Sequence, residues 1–453
     1  MLSLLFLIGI HGTIGHTVHN KECTCIGNYL KVENTNLSVS EAFEKYDITP
    51  KYLPVPPKYL LEGKLVSADV KLGNFVPPIR TADPEIKYSK GKNYVNYTIF
   101  IIDIDGPGCD PYKGYLVSLV INVPKSENNL ILSGDSIVPV SPPMVKLGSG
   151  IHRTVGLLYE QEEWINPDNV ELFELARTRN INLWTFTKKY HLVDLVAGNF
   201  YRTELDYCAD WKKEDLNDDL VFKVTVYSFN CQNGILKSKK SCESVPEAFR
   251  NLNITPNYVE VAPKDILEVD YSTAKVNLGN FIPPLRLVDA KTISYNKGKK
   301  RGYYTLLSID FDGESNGKII TLLMNIRNVE NIVPTSGDVI VLFTPPLPAL
   351  GSGVHRHGKL LYEQKGHIDA YQLDLLKLSR YPVIPNLTQF TKTYHLGNPV
   401  AGNVYITELR HCDGSDECSN KDGSVKQCER LCKILSNCDS DQIDKMQCGA
   451  HDN

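Results

Sequence analysis

Each half of the chain carries two aspartates, separated by a single residue, at the end of an apolar segment. They are Asp103 and Asp105 in IIDIDG, and Asp310 and Asp312 in LSIDFDG. Residues i and i+2 of an extended strand point to the same face, so the carboxylates of each pair should share one face. Two carboxylates, with a histidine and a tyrosine nearby, are groups that could carry out acid–base chemistry.

A glycine-rich segment supplies a histidine in each half. The segments GSGIHR and GSGVHR contain His152 and His355. Glycine tolerates backbone conformations that other residues avoid, which allows such a loop to bring the imidazole close to a ligand. A third polar motif, Ala-Gly-Asn-x-Tyr, ends at Tyr201 and Tyr405.

These groups indicate binding rather than catalysis. We find no nucleophile with a paired base and no spacing of ligands typical of a metal site. Isolated histidines and aspartates more often support the structure than perform a reaction. The sequence therefore predicts a protein that is not an enzyme, with no catalytic residues, no metal and no cofactor.

The motifs occur twice in the same order, which indicates an internal duplication. VSEAF, KLGNFVPPIR, LLYEQ and VAGNFYRTEL correspond to VPEAF, NLGNFIPPLR, LLYEQ and VAGNVYITEL. Equivalent residues lie 203 to 207 positions apart, whereas solenoid repeats have periods of about 20 to 50 residues. Each copy has the size of a domain with its own core. The predicted organisation is a signal peptide at 1–15, domain 1 at 38–207, a linker at 208–242, domain 2 at 243–411 and a cysteine-rich tail at 412–453.

The predicted fold class is all-β dominated, a β-sandwich with a few peripheral helices. Short segments rich in Val, Ile, Tyr and Thr predict strands in YVNYTIFIIDID, YLVSLVINV, DSIVPV, GLLYEQ, KYHLV and NFYRTEL. One helix is predicted in SVSEAFEKY, with Ser38 or Ser40 as its N-cap. An amphipathic helix is predicted in NPDNVELFELARTR, and its partner in the second half is GHIDAYQLDLLKLSR.

The composition and the N-terminus favour a secreted protein. The 453 residues carry a net charge of −4, and without a basic excess we expect no nucleic-acid partner. The apolar run Leu2–Ile10 is too short to span a bilayer and is followed by small residues that suit cleavage. A buried first strand is the alternative, because no Lys or Arg precedes the run. No other segment reaches 18 apolar residues, so we expect no transmembrane segment.

The chain has 12 cysteines, and only Cys109 lies well inside a copy. The tail has little apolar content, so it needs disulfides to hold a shape. Zinc is the alternative for the tail, but the Cys-x-x-Cys spacing is absent. We expect each copy to join the segment before it to its last strand, Cys23 or Cys25 with Cys208, and Cys231 or Cys242 with Cys412.

Over residues 38–207 and 243–411 the chain resembles two copies of the phosphatidylethanolamine-binding protein family, which includes the Raf kinase inhibitor proteins. LGSGIHRTVGLLYEQ and LGSGVHRHGKLLYEQ are similar to the family's Gly-x-Gly-x-His-Arg-Tyr motif, which leads to Leu-Tyr-Glu-Gln. The resemblance implies a β-sandwich with a small pocket for phosphate-like head groups. The implied ligand-binding residues are Asp103, Asp105, Pro142, His152 and Tyr201 in the first copy, and Asp310, Asp312, Pro345, His355 and Tyr405 in the second.

The chain departs from the family pattern in both copies. Aliphatic residues in YLVSLVIN and KIITLLMN replace two histidines that the family usually carries, and Thr154 and His357 replace the tyrosine after His-Arg. The segment from Pro-Pro to Gly is also longer by about two residues. Each pocket thus loses a donor and keeps two acids, which disfavour another negative charge. We expect weaker anion binding and a more apolar rim, and we expect Arg153 and Arg356 to pair with buried carboxylates.

The predicted function is a secreted, non-catalytic binding protein for a lipid head group or another small amphipathic or anionic ligand. The alternative is a protein-interaction module, such as a protease or signalling inhibitor, with vestigial pockets. Two linked copies would raise the avidity for a target with two sites, if both can engage it.

Peptide mapping under non-reducing conditions tests the cysteine pairing. We expect peptides that link Cys208 to Cys23 or Cys25, and Cys412 to Cys231 or Cys242. Recovery of a peptide that links Cys208 to Cys412 would contradict this pairing.

Overall fold

The computed structural model describes residues 37–204 and 244–408, with short gaps at 66–67, 77, 79–80, 82–83, 107–112, 125–128, 144, 147–148, 273, 289, 314–316 and 350–351. The predicted signal peptide, linker and tail lie outside the described residues. All 12 cysteines do as well, so the predicted disulfides stay predictions.

The first half is a sheet-dominated unit with three helices. The helices are α1 (Val39–Lys45), α2 (Val170–Thr178) and α3 (Leu183–Lys189). The strands are β1 (Tyr59–Leu60), β2 (Glu62–Leu65), β3 (Ala68–Val70), β4 (Asn74–Phe75), β5 (Glu85–Lys87), β6 (Asn96–Asp103), β7 (Lys113–Pro124), β8 (Asp135–Val138), β9 (His152–Gln161), β10 (Asn180–Asn182) and β11 (Leu192–Thr203). One sheet has the order β1-β11-β9-β6-β7-β10, with β4 beside β11 and β8 beside β7, and a small sheet has the order β3-β2-β5.

The second half repeats the order of the large sheet. Its helices are α4 (Val245–Asn251), α5 (Leu373–Arg380) and α6 (Leu387–Thr393). Its strands are β12 (Asp265–Ile266), β13 (Glu268–Tyr271), β14 (Asn280–Phe281), β15 (Ala290–Ser294), β16 (Tyr303–Asp310), β17 (Lys318–Ile326), β18 (Asp338–Val341), β19 (His355–Gln364) and β20 (Ala401–Thr407). The large sheet runs β12-β20-β19-β16-β17-β18 with β14 beside β20, and β13 pairs with β15.

The central strands are covered on both faces. In β6, Phe100 and Ile102 pack in the cluster that contains Phe43 of α1, whereas Ile99 and Ile101 pack against Ile86 of β5. Successive side chains of a strand point to opposite faces, so a continuous apolar run serves two cores. Strand β6 therefore lies between a layer of helices and the small sheet.

The helices agree in part with the sequence prediction. Ser38 caps α1 in a capping box with Glu41, which confirms one of the two expected caps. Helices α2 and α5 lie in the predicted amphipathic segments. Helices α3 and α6 were not predicted, and the strand predicted in KYHLV is wrong at its start because α3 ends at Lys189 and β11 begins at Leu192. With seven residues, α3 is too short to display a helical period.

Helices α2 and α5 join the two halves by reciprocal contacts. Arg177 of α2 donates a hydrogen bond from Nε to the carbonyl oxygen of Val339 in β18. Arg380 of α5 donates from Nε to the carbonyl oxygen of Ser136 in β8, at 3.2 Å. Arg177 and Arg380 are equivalent positions, as are Ser136 and Val339. Such an exchange is the pattern of an isologous interface with two-fold symmetry.

A buried asparagine fixes the end of β7. Asn122 has a left-handed φ of 54°, and its side chain donates to Asp135 and to the carbonyl of Ile165 at 2.8 and 2.7 Å. Its Oδ1 accepts from the Gln161 side chain and from the Ile165 N–H, both at 3.0 Å. Asn325 has the same role in the second half, with φ of 57°.

Two substitutions at this position separate the backbone from the side chain. Asn122→Gly keeps the left-handed conformation but leaves buried donors and acceptors unpaired, and we expect it to lower the free energy of unfolding by about 2–4 kcal/mol. Asn122→Ala should cost about 1 kcal/mol more, because a Cβ disfavours left-handed φ. Urea denaturation measures both values. Losses below about 0.5 kcal/mol for both variants would contradict the role of the network.

Candidate functional site

Three neighbouring strands place the predicted residues in one row. Asp103 of β6 is paired across the sheet with Thr154 of β9, which is paired with Tyr201 of β11. Directly paired residues point to the same face of a sheet. The row therefore faces the small sheet, and His152 lies two residues before Thr154 on the same face. In the second half the equivalent row is Asp310, His357 and Tyr405.

The buried carboxylate of Asp103 holds the imidazole of His152. Asp103 is fully buried, and its Oδ2 lies 2.8 Å from His152 Nδ1. His152 Nε2 lies 2.8 Å from Oγ of Ser149, an exposed residue. A chain of polar contacts thus leads from the interior to the surface.

The second half repeats this chain of contacts with the same geometry. His355 Nδ1 lies 2.8 Å from Asp310 Oδ2, and His355 Nε2 lies 2.8 Å from Ser352 Oγ. Burial opposes ionisation of Asp310, but the neighbouring His357 and His355 outweigh it, so the pKa of this carboxyl is lowered. Both halves hold a buried aspartate against an imidazole.

The order Ser, His, Asp is also that of a hydrolase triad, but the hydrogen bonds run in the opposite direction. The Ser149 hydroxyl donates to the carbonyl oxygen of Lys146 at 2.7 Å, and that of Ser352 donates to Ala349 at 2.7 Å. A hydroxyl has one proton to donate, so Nε2 of the histidine must be the donor to Oγ. A histidine that donates from Nε2 has no lone pair there to take a proton from the serine, as the general base of a triad does.

The electrostatics of His152 agree with a protonated ring. Burial lowers the pKa of His152, but the hydrogen bond and the charge of Asp103 outweigh burial, and the net pKa is raised. Ser149 and Ser352 were not predicted as site residues, because only the glycines and the histidine of the GSG segment indicated a role. The available signal was the position of the serine three residues before the histidine.

The second aspartate of each pair is held by the arginine after the histidine. Arg153 donates from Nε and Nη2 to the two carboxylate oxygens of Asp105, at 2.7 and 2.6 Å. Arg356 holds Asp312 in the same way, at 2.8 and 2.7 Å. This confirms the expected arginine–carboxylate pairing. Both oxygens of each aspartate are occupied, and their predicted contact with a ligand stays a prediction.

Backbone contacts explain why the aspartates are spaced by one residue and followed by glycine. The N–H of Asp105 donates to Oδ1 of Asp103 at 3.0 Å. A Cβ at Gly106 would lie 3.2 Å from Oδ2 of Asp103 and 3.0 Å from Cβ of Tyr115. The sharp bend thus brings both carboxylates to their partners.

The predicted prolines lie in the segment that follows β8 or β18. Pro142 is partly buried and Pro345 is buried. In the first half the buried Arg179 fixes this segment, because it donates to the carbonyl of Pro139 at 3.0 Å and to the hydroxyl of Ser141 at 2.9 Å. Burial lowers the pKa of Arg179.

The asparagine of the AGN motif connects the two sheets. Asn199 donates to the carbonyls of Leu61 and Val70, each at 2.9 Å, and accepts from the N–H of Leu72 at 2.9 Å. Asn403 makes the corresponding contacts in the second half. The motif thus positions the tyrosine two residues later, and this role was not assigned from the sequence.

The space between the small sheet and the row of Asp103, Thr154 and Tyr201 differs from the equivalent space in the second half. In the first half it is a cavity of about 40 Å³, bounded by Gly63 and Leu65 of β2 and by Thr154, Gly156 and Tyr201. Its lining is almost entirely apolar. Burial raises the pKa of the Tyr201 phenol well above its usual range, so the hydroxyl remains a proton donor.

Larger side chains stand at the equivalent positions of the second half. Tyr271 replaces Leu65, His357 replaces Thr154, and Lys359 replaces Gly156. Lys359 is fully buried, and its Nζ donates to the Ser308 hydroxyl at 3.0 Å. The two halves therefore present different interiors behind the same surface motif.

His357 is stacked on Tyr405, with 4.8 Å between ring centroids and 9° between planes. Neither nitrogen of His357 has a hydrogen-bond partner among the described residues. Burial lowers its pKa to about 4, against the opposing charge of Asp310. The ring is therefore neutral at pH 7.

No family model matches the sequence, but the sequence is similar to several known proteins, of which two follow. A putative odorant-binding protein A5 of Drosophila melanogaster is 27% identical over 180 residues, which are 38% of this chain and 84% of that protein. A 26 kDa secreted antigen of Toxocara canis is 29% identical over 169 residues, which are 35% of this chain and 63% of the antigen.

Parts of the chain are also similar to solved structures, of which two follow. A carboxypeptidase Y inhibitor, in complex with its cognate proteinase, is 18% identical with a TM-score of 0.32, and the match covers 37% of this chain and 95% of that one. A phosphatidylethanolamine-binding protein from Plasmodium vivax is 18% identical with a TM-score of 0.30, and the match covers 37% of this chain and 98% of that one.

Among the described residues, no helix combines the length and the apolar character needed to cross a membrane. The same part of the chain contains no group of three or more potential metal ligands from His, Cys, Asp and Glu.

His357 should make the stability of the protein sensitive to acid. The unfolded chain protonates this ring below about pH 6.5, whereas the folded chain resists protonation down to about pH 4. The unfolded state thus binds more protons, and the free energy of unfolding falls as the pH falls through this window. Urea denaturation at pH 7 and pH 4.5 should show a decrease about 2–3 kcal/mol smaller for His357→Phe than for the unmodified chain. Equal decreases would exclude this role.

Proposed function

We propose that this chain is a secreted, non-catalytic binding protein whose first half binds a small amphipathic molecule with an anionic head group. The proposal rests mainly on the Asp103–His152 pair, because Asp103 raises the pKa of the imidazole and Nε2 of this ring lies beside the exposed Ser149. An anion could replace this serine as the acceptor of a hydrogen bond from Nε2. Charge-assisted hydrogen bonds of this kind are stronger than neutral ones.

The apolar cavity supports the amphipathic part of the proposal. It is lined by Thr154 and Tyr201, which share the row with Asp103. A ligand whose head contacts Ser149 could direct a short apolar group past Tyr201 into this space. Burial of each methylene contributes about 0.8 kcal/mol, so even a small cavity discriminates between ligands.

We also propose the domain organisation and the ligand set that the sequence predicted. Two domains of the phosphatidylethanolamine-binding protein fold, at 38–207 and 243–411, agree with the common strand order of the two large sheets. Asp105 and Asp312 would act through Arg153 and Arg356, which they hold. The proposed ligand-facing residues are Asp103, Asp105, Pro142, His152 and Tyr201, and Asp310, Asp312, Pro345, His355 and Tyr405, with Ser149 and Ser352 added.

The names of two similar proteins support a binding role and secretion. One similar protein is named as an odorant-binding protein and another as a secreted antigen. We propose the same localisation for this chain. Its proposed partners are a small molecule or a phospholipid head group, and we keep a protein target as the alternative.

Calorimetry with a series of alkyl phosphates, from methyl to hexyl, tests the proposal at pH 6. We expect the affinity to rise about four-fold for each of the first methylenes, and then to stop rising when the cavity is full. His152→Gln should reduce the affinity about ten-fold, because it removes the charge while keeping a polar side chain. His191→Gln, at an exposed position, is the control.

Two outcomes would contradict the proposal. One is an affinity that His152→Gln leaves unchanged. The other is tight binding with equal tail dependence in both halves, because Tyr271, His357 and Lys359 stand where the second half would need space.

A further inference from the structure

The second half has another concave surface, at the far end of β19. His355 begins this strand, and Tyr362 lies seven residues later, which corresponds to about 23 Å of extended chain. The groove has a volume of about 310 Å³ and is bounded by α6, the end of β19 and the segments around Val259 and Pro399. This volume lies within the range of ligand pockets.

The rim of this groove is basic. Lys365, Lys392 and His395 line it and are exposed, and none of them forms an ion pair within the described part of the chain. Glu260 is the one acidic residue among the described residues that line the groove. Two lysines against one glutamate leave a positive rim, and this favours an anion.

The floor of the groove combines an apolar wall with a hydrogen-bond donor. Only 1% of Tyr362 is exposed, and its hydroxyl has no hydrogen bond to any described residue. Burial raises the pKa of this phenol far above its usual range. The hydroxyl is therefore protonated and available, and Leu387 and Val259 supply apolar surface beside it.

The first half provides an internal comparison, because its equivalent surface has a different charge. Glu162 stands at the position of Lys365, and Asp194 stands at the position of Asn398. Asp194 forms a salt bridge with Lys58 at 3.3 Å. The equivalent surface thus has two acids where the second half has a lysine and an asparagine.

An aromatic side chain also changes the equivalent surface. Trp184 stands at the position of Thr388, and Nζ of Lys188, the counterpart of Lys392, lies 4.0 Å from the centroid of its ring. A cation held over a ring is less available to a ligand. The basic groove is therefore a property of the second half.

We propose that this groove is a second binding site, for a small molecule that joins a carboxylate or phosphate to an apolar body. Lys365 and Lys392 attract the anion, Tyr362 donates a hydrogen bond to it, and Leu387 and Val259 contact the apolar body. This site is independent of the histidines at the other end of β19, so it can exist whether or not those histidines bind a ligand.

Titration of the full chain with phenyl phosphate at low salt tests the proposal. Every variant in this titration also has the substitutions His152→Gln and His355→Gln, so that binding near these histidines does not contribute to the measured affinity. We expect Lys365→Glu with Lys392→Glu to reduce the affinity at least about ten-fold, and Tyr362→Phe to reduce it about five-fold. Phenol should bind more weakly than phenyl phosphate, because it lacks the charge.

Lys188→Glu in the first half is the matched control, since it changes the same charge at the equivalent position. It should leave the affinity unchanged. Wild-type affinity in the Lys365→Glu, Lys392→Glu variant, or an equal loss with Lys188→Glu, would overturn the proposal. Equal midpoints of thermal unfolding verify that the variants are folded. If His152→Gln leaves the affinity for the alkyl phosphates unchanged, that result contradicts only the site proposed in the first half and not the groove of the second half.

Discussion

The contact between a buried aspartate and a histidine is the constraint on which the Asp–His–Ser site of each half depends. An ionised carboxylate in an apolar interior costs several kcal/mol unless it is paired. In this chain Asp103 has His152 as partner, together with the N–H of Asp105. The need for this compensation fixes the imidazole, and the imidazole in turn positions the serine loop at the surface. The same requirement accounts for the bend after β6, where glycine allows two carboxylates to reach two different cations.

The halves retain this contact but differ in what lies behind it. Small residues in the first half leave a cavity, whereas Tyr271 and Lys359 occupy the equivalent volume in the second. A buried lysine with a single hydroxyl acceptor is costly, and so is a histidine without partners. The second half therefore buries Lys359 and His357 at a cost in stability that apolar side chains of similar size would not have. The two halves thus differ on the inner face and at the groove beside α6, while the Asp–His–Ser contacts are the same in both.

Much of the fold could be predicted from local pattern. Continuous apolar runs rich in β-branched residues predicted β6 and β7, because a strand covered on both faces has no polar side. Helices α1 and α2 had cap residues and apolar spacing that indicated them. Helices α3 and α6 have only seven residues each, and tertiary contacts rather than a periodic sequence stabilise them. The reciprocal contact of Arg177 and Arg380 had no local signal at all, since it joins residues of different halves.

The sequence by itself determined the motifs, their repetition in the two halves and the pairing of each arginine with one of the two neighbouring carboxylates, because a carboxylate in apolar surroundings needs a partner. That this carboxylate is Asp105 for Arg153 came from the structure. Only the tertiary structure decided which atoms of these motifs meet. The register of β6, β9 and β11 places Thr154 between Asp103 and Tyr201, and it places His357 in that position in the second half. It also decided that the Ser149 hydroxyl donates to the carbonyl of Lys146 and lies beside Nε2 of His152. These outcomes depend on distances between segments far apart in the chain, and such distances are set by the packing of the whole sheet.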